Sequence, residues 1–273
     1  RTATLHLVAT PIGNLQDMTD RGSQLLRGIE VVACEDTRRT GRLLQHLNAR
    51  PRRLLVANEH TEARAAEQVV GELNSGVDVA LVSDAGLPGV SDPGERIVRA
   101  VIDAGHRVTV LPGASAPVAA LVISGLACDR YVMEGFLPRK GRERGERLAD
   151  IADERRTVVL LESPKRLGAT LIELAGICGP DRPVVVVREL TKLHEEVVRG
   201  PLDEVARRYA EPPKGEIVIV LGGAALTTFS DEAIVAALLA ESSAGQTTRD
   251  AVDAVVARLG VARNRVYGLA TAR

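Results

Sequence analysis

The run Ser83-Asp84-Ala85-Gly86-Leu87-Pro88-Gly89-Val90-Ser91-Asp92-Pro93-Gly94 sets three glycines, two prolines and two carboxylates within twelve residues, directly behind the apolar stretch Val77 to Val82. Few structural needs demand so much. Asp84, at a strand's end and ahead of a glycine-rich loop, is placed to accept hydrogen bonds from an amine or hydroxyl, or to favour a cationic ligand. Ser91 and Asp92 have a second reading, as caps of the helix that follows. Three other loops are of the same kind. Ala9-Thr10-Pro11-Ile12-Gly13-Asn14-Leu15 puts proline and glycine after an apolar strand, where backbone turns sharply and can approach a ligand, although an ordinary turn has the same composition. Pro112-Gly113-Ala114-Ser115-Ala116 uses small residues where a strand passes into a helix, so a flat or bulky ligand can lie against backbone. Gly135-Phe136-Leu137-Pro138-Arg139-Lys140-Gly141-Arg142, with Arg144 just beyond, gathers four basic residues that suit phosphate or plain solvation.

These loops need strands to position them. Short apolar runs at Leu5 to Ala9, Val31 to Cys34, Leu54 to Ala57, Val77 to Val82 and Val108 to Leu111 read as strands alternating with helices. The stretch Glu62 to Leu73 places Ala66, Val69, Val70 and Leu73 on one helical face, and Asn74-Ser75-Gly76 stops it. Such alternation implies parallel strands covered by helices, with ligands beyond their carboxyl ends. A second unit begins near Tyr131, with strands at Tyr131 to Phe136, Thr157 to Leu161, Val184 to Val187 and Ile217 to Leu221. There Glu195 to Arg199 alternates charge with valine, which makes the second sheet mixed and hairpin-like. Past Gly222-Gly223 only helical patterns remain: Asp231 to Ala240, Thr248 to Arg258, and a last one from Ala262. The expected organisation is therefore α/β, with α/β domains over 1–117 and 118–228 and a helical appendage over 229–273.

Bulk properties bound the function. The 273 residues are 45% hydrophobic with no apolar run of about 18, which predicts a soluble globular chain without a membrane span. The chain begins at Arg1, and no basic-then-apolar signal pattern stands there, so a cytoplasmic protein is expected. Cys34, Cys128 and Cys178 are scattered and read as buried free thiols, with neither a disulfide framework nor a metal site. A net charge of -1 confines any nucleic-acid contact to a local patch, and 2% aromatics, with no Trp, leaves little base stacking on rings. G-x-x-x-x-G-K-[ST], G-x-G-x-x-G after the first strand and H-E-x-x-H are all missing, so phosphoryl transfer, dinucleotide redox chemistry and zinc hydrolysis lose support.

Taken in order, Val8 to Leu15, Ala33-Cys34-Glu35-Asp36-Thr37-Arg38, Ser83 to Gly94, Pro112 to Ala116, Gly135 to Lys140, Arg188-Glu189-Leu190-Thr191-Lys192-Leu193-His194-Glu195-Glu196 and Lys214-Gly215-Glu216 resemble the tetrapyrrole methylase superfamily, and more closely its small-subunit ribosomal RNA methyltransferase I branch. The resemblance implies two α/β domains with S-adenosylmethionine between them, commonly in a homodimer. It also implies 2′-O-methylation of a cytidine of 16S ribosomal RNA, in the small subunit or its assembly intermediate. Carried over by position, the cofactor would meet Pro11, Ile12, Asp84, Ala85, Gly86, Ser91, Asp92, Pro112, Gly113, Ala114, Ser115, Ala116, Phe136, Leu137 and Glu216. Members acting on tetrapyrroles usually carry a glycine-rich, acid-containing first loop, whereas Thr-Pro-Ile-Gly-Asn here is like the ribosomal branch. Asn58 stands where His is common, Leu87 where Thr is usual, and Glu162-Ser163-Pro164-Lys165-Arg166 varies a Glu-Thr-Pro-His-Arg theme.

For that reaction a base is sought among Glu35, Asp36, Glu59, His60, Glu189 and Lys192, all near strand ends or in polar runs; His60 also reads as a helix cap, and Glu35 with Arg38 as an ion pair. Arg38, Arg39, Arg139, Lys140, Arg142, Arg166 and Arg188 are the candidate RNA contacts. Arg188 and Lys192 rank first, because charge immediately after a buried strand is costly unless it meets a cleft or ligand. Arg249, Arg258, Arg263, Arg265 and Arg273 make the tail locally basic and suggest docking to RNA or the ribosome. The rival readings are C-methylation of a tetrapyrrole, and a non-catalytic RNA-binding protein that kept the fold.

Overall fold

The computed structural model describes residues 3–225, 229–243 and 245–272; Arg273 and the expected boundary after 228 lie outside them. Contacts divide the chain into two compact units, Arg1–Ala224 and Ala225–Arg273. In the first, β1 (Thr4–Val8), α1 (Asp20–Gly28), β2 (Val31–Cys34), α2 (Thr37–His46), β3 (Arg53–Val56), α3 (Glu62–Asn74), β4 (Val79–Val82), α4 (Glu95–Asp103), β5 (Arg107–Leu111) and α5 (Ala116–Ser124) follow one another. The strands form one sheet in the order β3-β2-β4-β1-β5, with every neighbouring pair parallel. Both faces are buried, which is why β2 and β4 are continuous apolar runs rather than alternating ones. Leu5, Ala33 and Leu81 pack with Ala65, Val69, Leu73, Ile97 and Val101 of α3 and α4. Val8, Val32 and Val82 pack with Leu26 and Leu44 of α1 and α2.

The chain then builds a second sheet from β6 (Tyr131–Phe136), α6 (Arg142–Asp153), β7 (Thr157–Glu162), α7 (Leu167–Cys178), β8 (Pro183–Arg188), β9 (Glu196–Pro201), α8 (Leu202–Arg208) and β10 (Ile217–Leu221). Its order is β6-β7-β10-β8-β9; β6 and β7 are parallel and the other pairs antiparallel, the mixed sheet that the Glu195 to Arg199 pattern implied. Helices α6, α7 and α8 cover one face. The other is covered by α5, whose Ala120 and Leu121 pack on Val159, Val185, Val218 and Val220. Helix α5 follows the last strand of the first sheet yet packs on the second, so it joins the two. Among its described residues the unit from Ala225 has three helices, α9 (Asp231–Ser243), α10 (Thr248–Leu259) and α11 (Arg263–Thr271), around Ile234, Leu238, Val252, Val255 and Val266. Its basic character is largely neutralised from within: Arg258, Arg263 and Arg265 pair with Glu241, Asp253 and Asp231.

Three sequence-based readings are corrected. Neither Ser91 nor Asp92 caps α4. Gly94 holds the cap position without a side-chain bond, and Glu62, buried on α3, accepts from Gly94 N–H at 2.7 Å and Arg96 N–H at 3.0 Å. A carboxylate on two orphan amides at the helix start outcompetes a short cap from the loop and frees that loop for other work. Replacing Glu62 by alanine is expected to lower stability by about 1–3 kcal/mol, measured by urea unfolding, because a buried amide and a half-buried one lose a charged acceptor. Of the three free thiols only Cys34 is buried; Cys128 is exposed and Cys178 intermediate. Nor is Arg144 a phosphate contact. It is buried, with its guanidinium on Glu173, Thr170 Oγ1 and the Pro138 carbonyl.

Candidate active site

Three loops at the carboxyl ends of the first sheet converge on Gly86. Thr10 and Gly86 exchange backbone hydrogen bonds of 2.9 and 3.0 Å, and Thr10 Oγ1 donates to the Ser83 carbonyl at 3.2 Å. Gly86 has φ +84, and a methyl group added there would lie 3.4 Å from the Ala114 carbonyl and 3.5 Å from the Ile12 side chain. The Pro11, Asp84 and Pro112 loops are thus stitched edge to edge. Gly113 sits so close to Ala9 that a Cβ would stand 2.9 Å from its methyl. The fourth loop closes on them, since a Cβ at Gly135 would approach Ser91 Oγ at 3.3 Å. Pro11, Ile12, Pro112, Gly113 and Ala114 form the scaffold of these turns.

Between the two sheets lies a cleft of about 380 Å³, within the roughly 300–1,000 Å³ usual for small-molecule sites. Glu35, Arg39, Asp84, Ala85, Gly86, Asp92, Ser115, Ala116, Phe136 and Glu216 line it, so residues assigned from five separate segments come together. Leu87, Val90, Pro117, Leu161, Glu162, Ser163, Pro164, Gly215, Ile217 and Val218 complete the wall. Because β10 runs antiparallel to β7 and β8, with Ile217 opposite both Glu162 and Arg188, its amino end arrives beside their carboxyl ends and delivers Gly215 and Glu216. The wall residues Leu161, Ile217 and Val218 read from sequence as strand core, and nothing in their pattern separated them from it.

The cleft is acidic. Asp84 accepts from Asp36 N–H at 3.2 Å and faces Arg39 Nε at 3.5 Å. Burial raises its carboxyl above the ordinary range, with Arg39 opposing. Glu35 is raised too, by burial and then by the charge of Asp84. Asp92 is pushed up to about 6 by burial, with Glu35, Asp84 and Glu216 adding repulsion that a hydrogen bond from Ser83 only partly offsets. The unfolded chain gives up the Asp92 proton near the ordinary 3.8, before the folded protein does. Stability attributable to this group therefore falls as pH rises from about 4 to about 6. The stability advantage of Asp92→Asn over the parent, measured by urea unfolding, is expected to grow across that window to about 1–2 kcal/mol at pH 7, after discount for solvent screening.

The other candidate residues divide by position. Glu189, Lys192 and Glu216 form a charged triad: Lys192 Nζ is 2.8 Å from Glu189 Oε1 and 3.1 Å from Glu216 Oε2. The Lys192 hydrogen bond holds the Glu189 carboxyl below its usual range. Burial alone would lower the Lys192 ammonium, but its bonds to Glu189 and Glu216 outweigh that and raise it. The triad abuts the first loop, for a Cβ on Gly13 would come 2.5 Å from Lys192 Cγ, and Asn14 N–H donates to Thr191 Oγ1 at 3.2 Å. Asp36 is the N-cap of α2, accepting from Arg38 N–H at 2.8 Å, and that bonding with Arg38 lowers it to about 2. His60 is exposed on a turn organised by Asn58, whose side chain accepts from His60 N–H and Thr61 N–H, each at 3.0 Å. Exposed Glu59 sits on the same turn. Ser91, in the left-handed region at φ 61, and Leu137, buried below β6, are outside the lining.

Among the basic candidates, Arg166 and Arg188 are spent on the protein itself. Arg166 Nε bonds Glu162 at 2.7 Å and its NH1 the Leu137 carbonyl at 3.2 Å; Arg188 bonds Glu196 at 3.0 Å and the Lys214 carbonyl at 3.1 Å. Arg38 pairs with Asp36 and Arg142 with Glu146, both at the surface. Arg139 and Lys140 are exposed and, among the described residues, carry no hydrogen bond or ion pair from their side chains.

A family model described as Tetrapyrrole (Corrin/Porphyrin) Methylases matches residues 4–206. Among solved structures, the methyltransferase CobJ aligns over 84% of this chain and 98% of its own with a TM-score of 0.62 at 18% identity. Uroporphyrin-III C-methyl transferase from Thermus thermophilus, complexed with S-adenyl homocysteine, aligns over 81% and 97% with a TM-score of 0.58 at 21% identity. The fold is thus of the tetrapyrrole methylase class. Ribosomal RNA small subunit methyltransferase I of Synechocystis sp. is 42% identical over 269 residues, 97% of this chain and 96% of that protein. The protein of that name from Mycobacterium tuberculosis is 48% identical over 222 residues, 81% and 78% of the two chains. The chain belongs to the ribosomal RNA small subunit methyltransferase I family, a branch of the tetrapyrrole methylases.

Proposed function

We propose that the protein uses S-adenosylmethionine to methylate the ribose 2′-oxygen of a cytidine in 16S ribosomal RNA, within the small subunit or its assembly intermediate, acting as a cytoplasmic homodimer. The observation that carries the reading is 42% identity over nearly the whole length of a ribosomal RNA small subunit methyltransferase I, joined to a built cleft at the place where such a fold holds its ligands. The residues present fit the cofactor. It is a cation with an amine and hydroxyls, and the cleft offers three acidic side chains from the first sheet, Glu35, Asp84 and Asp92, beside the apolar Leu87, Val90 and Phe136. Gly86, in the left-handed region, lines the cleft and lets the loops around it close on one another.

S-adenosylmethionine, when bound, supplies an electrophilic methyl on a cationic sulfur. The chain's own part is to hold the ribose oxygen in line, which supplies most of the acceleration, and to accept its proton. Glu35 is the catalytic candidate that lines the cleft, and its raised carboxyl makes it a better proton acceptor than an ordinary glutamate; such a base adds roughly 10²- to 10⁴-fold. Glu189 and Lys192 hold the Glu216 side of the mouth, and Arg139 and Lys140 are the exposed cations offered to phosphate. The test is transfer of labelled methyl from S-adenosylmethionine to small subunits lacking the modification, for the parent and Asp84→Ala, with the labelled nucleotide then mapped. Label on a cytidine 2′-oxygen, lost in the variant, is expected. Cofactor binding without RNA labelling would overturn the reading and favour a small-molecule acceptor such as a tetrapyrrole.

A further inference from the structure

The connection from β8 to β9 makes two successive turns, closed by Lys192 N–H to the Glu189 carbonyl at 3.0 Å and by Glu195 N–H to the Lys192 carbonyl at 3.1 Å. Leu193 occupies the second turn and is 92% exposed, more than any other large apolar side chain among the described residues. A single exposed leucine on an ordinary surface loop needs no explanation. This loop is not ordinary. Glu189 and Thr191, neither of them glycine, have φ of 52 and 66. Their left-handed backbone is held by Thr191 N–H to Glu195 Oε2 at 2.7 Å, by Asn14 N–H to Thr191 Oγ1, and by Lys192 between Glu189 and the cleft residue Glu216. Strain braced by so many contacts persists where a loop must present something in a fixed place, and what this one presents, one residue beyond the Lys192 that reaches the cleft residue Glu216, is a bare leucine.

We infer that Leu193 is a wedge that enters the substrate RNA beside the target nucleotide and keeps it unstacked; the inference rests on the proposed function for its substrate class. A nucleotide drawn into a cleft between two sheets leaves its stacked neighbours, and proteins that open a base step frequently hold it open with an inserted apolar side chain. With aromatics at 2% and no Trp, the chain has few rings for the purpose, so an aliphatic side chain takes the place. The rigidity of the loop serves the insertion, because a mobile leucine would follow the bases instead of separating them.

The experiment uses the full chain and small subunits lacking the modification. Leu193→Ala is expected to lower kcat/KM for methyl transfer by about tenfold or more, with Leu193→Met restoring most of it. Affinity for S-adenosylhomocysteine stays unchanged, and the melting temperature shifts by less than about 2 °C because an exposed side chain contributes little packing. With S-adenosylhomocysteine present, the parent raises the dimethyl sulfate reactivity of a base adjoining the target, and Leu193→Ala does not. Equal activity of Leu193→Ala, or no change of base reactivity with the parent, overturns the wedge while leaving the methyltransferase reading intact. Absence of RNA methylation by the parent overturns both.

Discussion

Replacing Arg166 by alanine lowers the stability of the protein by about 3–5 kcal/mol, the range for stranding one partner of a buried ion pair. Glu162 is 1% exposed at its side chain, and Arg166 approaches its Oε1 at 2.6 Å. Ser163 N–H and Thr170 Oγ1, each at 2.6 Å, satisfy part of the carboxylate but bring no compensating charge. Once Arg166 is gone, Glu162 is a buried acid without its ion-pair partner, which raises the free energy of the folded state. The double variant Glu162→Gln, Arg166→Ala is expected to recover part of the loss in urea unfolding, since no buried charge is left. Glu162, Ser163 and Pro164 line the cleft, so single-variant activity falls with the fold rather than through a lost phosphate contact. A stable Arg166→Ala protein with weaker RNA binding and a flatter salt dependence would restore the residue to the RNA contacts.

The contrast shows what a sequence can disclose about charge. Arg144, Arg166 and Arg188 are visible as cations, but their partners Glu173, Glu162 and Glu196 lie 29, 4 and 8 residues away; the packing of α6 on α7 joins the first pair, the turn from β7 into α7 the second, and the pairing of β8 with β9 the third. Glu62 is the converse case. An acid early in an amphipathic helix reads as solvated, and its role on the amides of Gly94 and Arg96 depends on how α3 meets α4. The strands were legible as short apolar runs, most clearly where both faces are buried: Val31 to Cys34 and Ile217 to Leu221 have the expected ends, and so has the more exposed edge strand Tyr131 to Phe136. At Val77 the apolar run misleads, since Val77 N–H still caps α3 through the Glu72 carbonyl and Asp78 turns its carboxylate to Thr4 N–H, so β4 starts at Val79. The loops declared themselves because glycine, proline and aspartate together after a strand serve no core; the cleft's apolar wall did not, because a leucine facing a ligand and one facing the core look alike.

Replacing Asp84 by asparagine separates function from stability in the opposite sense to Arg166. The amide keeps an oxygen for Asp36 N–H, which Asp84 Oδ1 accepts at 3.2 Å, so the turn survives. The charge is what goes. Burial has already raised the Asp84 carboxyl, meaning that its ionised form is less welcome in the folded protein than in the unfolded chain. A raised acid costs stability above its unfolded pKa, so at pH 7 the asparagine variant is expected to melt at or above the parent's temperature. Arg39 loses a partner at 3.5 Å, but it is 57% exposed and returns to water at little cost. Binding moves the other way. Under the proposed function the carboxylate accepts a charge-assisted hydrogen bond from the cationic cofactor, and its loss is expected to weaken S-adenosylhomocysteine binding by about 10- to 100-fold in calorimetry, with methyl transfer falling at least as far. The acid cluster of Glu35, Asp84 and Asp92 is then a store of repulsion that a bound cation relieves, and the folded protein carries that cost for the sake of the ligand. Undiminished binding by Asp84→Asn would remove the residue from the cofactor site, and a sharply lower melting temperature would make it part of the scaffold.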